Sequence, residues 1–292
     1  MKRYNSPVYP IAPSFDTNEE LDLSSTKKYL KYLEEKGSKT VMTTAGTSQY
    51  NLMTVAEVRL FNETVTSFNG QKILGIPALS TKLLKEEIRH LNSIADPSTN
   101  SILIIFPERY YNDKQIIRFF KDICEISNLD VLVHGNSLRK GSGGMYEYSK
   151  PLLKSLSKIR NFIGMKEESS TLTHSIKNIP EGLEVIVAGG SMRRFWALEP
   201  HGATTFLSGV GSFNPEWEET FYTAYFTDID KAKDIMTEVE TPLFNTFMKE
   251  GWHLSMRTAL KSLGFIQNDR APFYNPTLEQ QENIHQALNK II

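Results

Sequence analysis

The sequence predicts an α/β fold, specifically a (β/α)₈ barrel of the TIM type with a C-terminal helical extension. Short apolar runs recur eight times along the chain, and amphipathic helical patterns separate them. No linker or low-complexity segment interrupts the alternation. Near-continuous apolar runs are typical of parallel strands that are covered on both faces. Repeated strand–helix alternation of this kind is the pattern of a single barrel.

The predicted strands are rich in Val, Ile, Leu and Phe. They cover residues 8–11, 40–43, 73–76, 102–106, 131–134, 162–166, 185–188 and 205–208. Between them, residues 22–35, 80–94 and 149–159 place leucines and isoleucines at helical spacing on one face. A doubly wound open sheet is the competing fold. That fold usually has a glycine-rich phosphate turn after its first strand, and residues 11–15 do not form one.

The last part of the chain exceeds what one closing helix requires. Residues 215–292 have a largely helical pattern after the eighth predicted strand. We therefore predict a barrel over residues 1–214, and a closing helix with a helical extension over residues 215–292. The two parts are expected to pack as one structural unit.

Composition and charge exclude several classes of protein. The 292 residues are 40% hydrophobic and 23% charged, with a net charge of −1. This balance gives no electrostatic footprint for nucleic acid or an anionic membrane. The single cysteine, Cys124, cannot form an intrachain disulfide, and its helical context predicts a packed small hydrophobe. No signal peptide or membrane span is evident, so we expect a cytoplasmic protein.

The active site of such a barrel lies at the C-terminal ends of its strands, where Lys166 is the most informative residue. Strand alternation places Phe162, Gly164 and Lys166 on one face, and Gly164 is expected to leave room beside the lysine. Desolvation favours the neutral form of an amine, and a neutral amine condenses with a ketone to form an imine. The alternative is a lysine that simply leaves the strand into solvent.

Other strand ends carry candidate polar groups. His134 ends the fifth strand and is either a general acid/base or a core histidine with a satisfied hydrogen bond. Tyr110 and Tyr111 follow the fourth strand and are either site residues or aromatic residues that pack in the core. The turn 43–48 is rich in threonine and precedes a helix, so it is either a carboxylate pocket or an ordinary capping loop. No motif indicates a metal or an organic cofactor, and we expect neither.

Together these segments resemble the dihydrodipicolinate synthase / N-acetylneuraminate lyase family over nearly the whole chain. The turn 43–47 resembles that family's "GTTGE", and residues 107–112 resemble its "PYYN" with an insertion. The best match is Ile163-Gly164-Met165-Lys166-Glu167-Glu168-Ser169, which resembles "IvGIKEaS". The segments around 188–190 and 202–208 resemble "sGdD" and "GA.GvIS".

The resemblance implies a function and a set of residues. Lys166 would form a Schiff base with pyruvate, and Tyr111 would belong to a proton relay. Thr44, Ala45 and Thr47 would hold the pyruvate carboxylate, and Arg139 falls where the synthases bind the second substrate's carboxylate. Tyr110, Gly189 and Leu207 would also contact substrate. The family forms dimers or tetramers, so the resemblance implies a homo-oligomer.

The chain departs from the family at the reacting centre. His134 stands where the family has the tyrosine that shuttles a proton beside the imine, and the glutamate of "GTTGE" is missing. Two mechanisms follow. His134 replaces the tyrosine and the enzyme uses some other aldehyde, or Tyr110 or Tyr111 takes over in a true 4-hydroxy-tetrahydrodipicolinate synthase. Arg139 favours the second, because a carboxylate-bearing aldehyde needs a cationic partner.

The leading hypothesis is a lyase: a pyruvate-dependent class I aldolase that makes or breaks a carbon–carbon bond with an aldehyde. Dehydration, which breaks a carbon–oxygen bond, and decarboxylation through the same imine stay open. A non-catalytic barrel that binds a 2-oxo acid or sugar acid is the alternative from another class, motivated by the lost tyrosine and glutamate. A catalytic protein would turn over an aldehyde with pyruvate, whereas a binding protein would only gain thermal stability.

Overall fold

The structure is a computed structural model that describes residues 3–43, 50–77, 79–105, 112–136, 148–169, 171–273 and 275–292. Within these residues the strands are β1 Val8–Pro10, β2 Thr40–Met42, β3 Gln71–Ile76, β4 Asn100–Ile104, β5 Asp130–Asn136, β6 Phe162–Glu168, β7 Glu184–Val187 and β8 Thr205–Phe206. They form one sheet in the order β1 to β8, so strands that are consecutive in sequence are neighbours in the sheet. This order, with helices between the strands, confirms the predicted TIM barrel.

The helices that connect the strands begin at residues suited to capping. They are α1 Leu23–Glu35, α2 Val55–Val65, α3 Thr81–Ile94, α4 Asp113–Ile126, α5 Lys150–Leu156, α6 Leu172–Asn178 and α7 Ser191–Leu198. Asp22 accepts hydrogen bonds from the first turn of α1, and Thr54 and Asn112 form reciprocal capping boxes at α2 and α4. Such caps satisfy amide groups that have no partner within a helix.

The C-terminal part of the chain is helical, as predicted. It contains α8 Pro215–Thr227, α9 Ile229–Asp234, a π-helical segment Ile235–Glu240, α10 Thr241–Glu250, α11 Trp252–Ser262 and α12 Leu278–Leu288. The division of the chain between residues 214 and 215 stays a prediction. None of the helices in the described ranges is long and apolar enough to cross a membrane.

One of two compact units contains Gln71–Leu207 and residues 3–5, which includes strands β3 to β8. All pairs of neighbouring strands within this unit are parallel. Arg3 contacts the N-terminal ends of three of these strands: Asp130 at the start of β5, Glu184 at the start of β7, and the Asn100 carbonyl of β4, to which it donates at 3.1 Å. His134 and Lys166 lie in the opposite, C-terminal halves of β5 and β6.

The other unit contains Ser6–Gly70 and Ser208–Ile292. Strands β1 and β2 pair in parallel within it, and the Ser208 amide donates to the Val8 carbonyl at 2.8 Å. Arg257 on α11 is almost fully buried, pairs with Asp269 and donates to the Pro13 carbonyl at 3.1 Å. A buried guanidinium that is paired and hydrogen-bonded avoids the large cost of an isolated charge. The C-terminal helices are thus tied to the start of the chain.

Candidate active site

Strand β6 carries the predicted nucleophile into the interior. Lys166 is 0% exposed, and Gly164 and Glu168 share its face of the strand. The glycine has a clear cause: a Cβ atom at position 164 would lie 2.0 Å from the Glu184 carbonyl oxygen of β7. The close approach of β7, rather than space for the lysine, is therefore the nearest reason for Gly164.

Strand β5 brings His134 directly beside the lysine. The two residues are partners in the β5–β6 register, so their side chains lie on the same face. Lys166 Nζ and His134 Nε2 are 2.8 Å apart, and His134 is 3% exposed. The structure thus brings together the two described residues that were predicted to be catalytic.

Glu168 completes the cluster at the end of β6. Its Oε2 atom lies 2.6 Å from Lys166 Nζ and 2.8 Å from His134 Nε2. Its side chain is 18% exposed, whereas those of Lys166 and His134 are 1% and 3% exposed. Glu168 is therefore the member of the group that is most open to solvent. We call these three residues the Lys–His–Glu cluster.

Burial and neighbouring charges set the protonation of the cluster. Burial, reinforced by the positive charge of Lys166, lowers the pKa of His134 to about 4, although Glu168 opposes the shift. Burial acts to raise the pKa of Glu168, but Lys166 and the hydrogen bond from His134 hold it well below its usual range. At neutral pH the imidazole is therefore neutral and the carboxyl group is ionised.

These protonation states fix the tautomer of His134. An ionised carboxylate only accepts hydrogen bonds, so the 2.8 Å contact with Glu168 Oε2 requires the imidazole proton on Nε2. His134 Nδ1 is buried and has no hydrogen-bond partner among the described residues. A buried acceptor without a partner is less unfavourable than a buried N–H without one. Both observations favour the Nε2–H tautomer, and the 2.8 Å Nε2–Nζ contact is then a hydrogen bond once Lys166 has given up a proton and its nitrogen lone pair accepts.

A second hydrogen-bond network holds the C-terminal end of β6. Glu167 points to the other face, where its Oε1 accepts from the Ser169 amide at 2.8 Å and the Ser175 hydroxyl at 2.9 Å. Its Oε2 accepts from the Arg194 guanidinium of α7 at 3.0 Å, and Arg194 also donates to the Ser169 carbonyl. We call these residues the Glu167–Arg194 clamp. Because the clamp holds the residues on both sides of Glu168, it restrains the position of that carboxylate.

Gly189 and Leu207, both predicted to contact substrate, follow β7 and β8 at the C-terminal edge. The Ala188 amide donates to the Glu167 carbonyl at 2.8 Å, which places Gly189 next to the end of β6. The Ser191 hydroxyl donates to the Leu207 carbonyl at 3.1 Å. Gly189 has φ +79°, and a Cβ atom at this position would have no atom of the described residues within 4 Å. A role for either residue in substrate binding stays a prediction.

The remaining predicted site residues lie outside the described residues. They are Thr44, Ala45, Thr47, Tyr110, Tyr111 and Arg139. The predicted carboxylate turn, the tyrosines and the basic loop therefore stay predictions.

Sequence reasoning missed Glu168 and Arg194. The signal for Glu168 was available: residues i and i+2 of a strand point to the same face, so Lys166 on a reacting face implies Glu168 on it too. For Arg194 no local pattern existed, because its role depends on how α7 packs beside β6.

Comparison with known proteins identifies the family of this chain. The family model for the dihydrodipicolinate synthetase family matches residues 6–291. An uncharacterized DapA-like lyase of Pyrococcus abyssi is 24% identical over 218 residues, or 69% of this chain and 66% of that protein. One from Halobacterium salinarum is 22% identical over 275 residues, covering 92% of this chain and 86% of that protein.

The solved structures include the dihydrodipicolinate synthase of Aquifex aeolicus. It superposes with a TM-score of 0.85 at 16% identity and covers 98% of both chains. At that identity the likeness establishes the fold. The family match, which spans nearly the whole chain, confirms both the predicted family and the predicted enzyme class, a lyase of the Schiff-base aldolase type. The chain belongs to the dihydrodipicolinate synthetase family.

Proposed function

We propose that this protein is a pyruvate-dependent class I aldolase in which Lys166 forms the Schiff base. One observation carries the proposal. The Lys166 amine is fully buried at the end of β6, and its Nζ atom contacts both an imidazole and a carboxylate. An amine that attacks a ketone must lose a proton, and the ketone oxygen must gain one. The cluster places a proton acceptor and a proton donor at the attacking nitrogen.

His134 takes the part of the family's tyrosine in this proposal. Its neutral imidazole carries a proton on Nε2, 2.8 Å from Lys166 Nζ. A substrate oxygen bound to the carbon under attack would lie close to that nitrogen, so Nε2–H is suited to donate to it. Tyr110 or Tyr111 taking over the proton transfer is the alternative, and it belongs to the second candidate function below.

The partners in this proposal are a small 2-oxo acid, pyruvate, and an aldehyde. The turn with Thr44, Ala45 and Thr47 would hold the pyruvate carboxylate. Tyr110, Gly189 and Leu207 would line the rest of the pocket. As in the family it belongs to, we propose a homo-oligomer, a dimer or a tetramer. A cytoplasmic location stays a prediction.

A true 4-hydroxy-tetrahydrodipicolinate synthase is the second candidate. It is favoured by the likeness to solved dihydrodipicolinate synthases and by Arg139, which would bind a carboxylate-bearing aldehyde. The proton-shuttling tyrosine on β5 is replaced by His134, which argues against that assignment. The 2-oxo acid or sugar-acid binding barrel remains the alternative from another class.

Turnover distinguishes the candidates. Purified protein is incubated with pyruvate and a panel of aldehydes, with and without a carboxylate, and pyruvate consumption is measured. The aldolase proposal predicts consumption with at least one aldehyde, and none with Lys166→Arg, which keeps the positive charge but cannot form an imine. Consumption only with a carboxylate-bearing aldehyde favours the synthase. A rise in melting temperature with pyruvate, without consumption, supports the binding barrel.

A further inference from the structure

Glu168 lies on the same face of β6 as Lys166, at a position where this chain departs from the motif that it resembles. It follows Lys166 by two residues, so strand alternation directs both side chains to the same side. The motif that this strand resembles has a small residue there. In this chain a carboxylate fills the position, and its Oε2 lies 2.6 Å from Lys166 Nζ.

The three members of the cluster differ in whether they can donate or accept a proton. His134 Nε2 carries a proton and therefore cannot accept one at that atom. Lys166 Nζ is the attacking nitrogen and must give up a proton before it can attack. Glu168 is ionised, accepts from both neighbours, and is the most exposed of the three. Among the described residues of the cluster, its carboxylate is the group that can accept a proton, because the positive charge of Lys166 that lowers its pKa is lost in the same transfer.

We propose that Glu168 is the general base of the imine pathway and that His134 Nε2–H is the matching acid. The inference rests on the proposed function, because it needs an imine on Lys166. It divides between two side chains the acid and base work that the family's strand-five tyrosine does.

The proton balance supports this division. Starting from the Lys166 ammonium, Glu168 takes one proton and frees the nitrogen lone pair. The lone pair forms the N–C2 bond with the 2-oxo acid, the C2=O π pair moves to oxygen, and His134 donates a hydrogen bond to that oxygen. One proton then moves from nitrogen to oxygen to give the carbinolamine. Glu168 returns its proton to the hydroxyl group, which leaves as water. The products are the iminium and the Glu168 carboxylate.

The same carboxylate serves the next step. It removes a proton from C3, the C3–H pair becomes the C2=C3 double bond, and the iminium π pair returns to nitrogen. The products are a neutral enamine and a protonated Glu168. The enamine carbon is then ready to attack an aldehyde, and no oxidant or further reactant is needed.

Exchange of the pyruvate methyl protons for deuterium in D₂O measures this second step without an aldehyde. Proton NMR follows the exchange in the wild type and in Glu168→Gln, which keeps the shape but removes the base. We expect exchange to fall by about 100-fold in Glu168→Gln, the usual size of a general-base contribution. Glu168→Asp, which keeps a carboxylate, should retain more exchange than Glu168→Gln.

Glu181→Gln is the matched control. It makes the same carboxylate-to-amide change on a side chain that is 92% exposed and pairs with Lys150. Its exchange rate should equal that of the wild type. Borohydride trapping is run on every sample. If the wild type traps no adduct on Lys166, the proposed function fails and the base role fails with it. If the wild type traps an adduct but Glu168→Gln exchanges at the wild-type rate, the base role alone is wrong.

A measurement on the wild type covers the case in which the Glu168 variants do not fold. Nitrogen-15 NMR of the histidine rings at neutral pH, with His134→Gln used for assignment, reports which ring nitrogen of His134 carries the proton. The proposal requires Nε2–H. A proton on Nδ1 would leave Nε2 as the proton acceptor beside Lys166 and would overturn the assignment of Glu168 as base.

Discussion

At the residue scale, the burial of His134 makes the stability of the protein depend on pH. Its ring is almost fully buried beside a lysine, and burial together with that charge lowers its pKa to about 4. The ring is therefore neutral throughout the physiological range. In the unfolded chain the same imidazole has its ordinary pKa of 6.5, so acid favours the unfolded state.

The pH dependence of stability tests this shift. Between pH 6.5 and about 4 the unfolded state binds a proton at His134 that the folded state does not bind. The stability that depends on a neutral His134 is therefore fully present above pH 6.5. As the pH falls to about 4, the free energy of unfolding drops by about 3 kcal/mol. Chemical denaturation of the wild type and of His134→Gln at several pH values measures it.

The informative quantity is the difference between the two proteins, because titrating groups outside the cluster cancel in it. We expect the stability of the wild type relative to His134→Gln to fall steadily from pH 6.5 to 4. Glu168, whose pKa is also lowered, in part by His134, adds a loss of the same sign only below its ordinary pKa of 4.5, so the upper part of the pH interval reports His134 alone. A difference that does not change with pH would show that His134 has an ordinary pKa in the folded protein.

The sequence predicted two of the three cluster residues. Lys166 and His134 could be found because each ends an apolar run, and polar residues at the C-terminal ends of barrel strands are functional candidates. Glu168 was read only as part of a motif, although alternation from Lys166 places it on the same face. Two residues that lie two positions apart on a strand share a face, so their contact can be predicted from the sequence once the strand is correctly assigned.

At the scale of elements, β6 is held on its outer face by the Glu167–Arg194 clamp. Glu167 is 3% exposed and the Arg194 side chain is 10% exposed, so the ion pair between α7 and β6 is buried. Removing one member of such a pair leaves the other charge buried without compensation, which typically costs about 3–5 kcal/mol. The clamp also restrains Ser169, directly after Glu168.

We therefore expect Arg194→Ala to affect both stability and chemistry. Its free energy of unfolding should fall by about 3 kcal/mol. Pyruvate methyl exchange should slow by about tenfold at a temperature where the variant is folded, because small displacements of catalytic groups reduce rates strongly. Lys177→Ala, which removes an exposed positive charge from α6, is the control and should change neither quantity. Normal exchange in a destabilised Arg194→Ala would mean that the clamp supports only the fold.

Arg194 could not have been predicted from the sequence, for a physical reason. Its partners Glu167 and Ser175 lie 27 and 19 positions earlier in the chain. Their contact depends on where α7 packs, which is a tertiary property. The helix itself was expected only as part of the general alternation, and neither its register nor its angle follows from that pattern.

At the scale of the whole molecule, eight-fold alternation was enough to predict the fold. The predicted strands at 131–134, 162–166 and 185–188 correspond to β5, β6 and β7, and the helical C-terminal part is also observed. Strands and helices have periodic patterns that follow from burial. Loops have none, and in barrel enzymes the loops carry many of the residues that select a substrate. For this reason the sequence predicts the class of reaction more specifically than it predicts the substrate.

The central claim, an imine on Lys166, has one direct test. The intact protein is incubated with pyruvate and borohydride, its mass is measured, and the modified peptide is mapped. We expect one stable adduct per chain on Lys166. The adduct should be lost in Lys166→Arg and absent without pyruvate. A folded wild-type protein that gains no mass, or gains it on another lysine, would contradict the account and leave the barrel as a binder or as an enzyme for another kind of substrate.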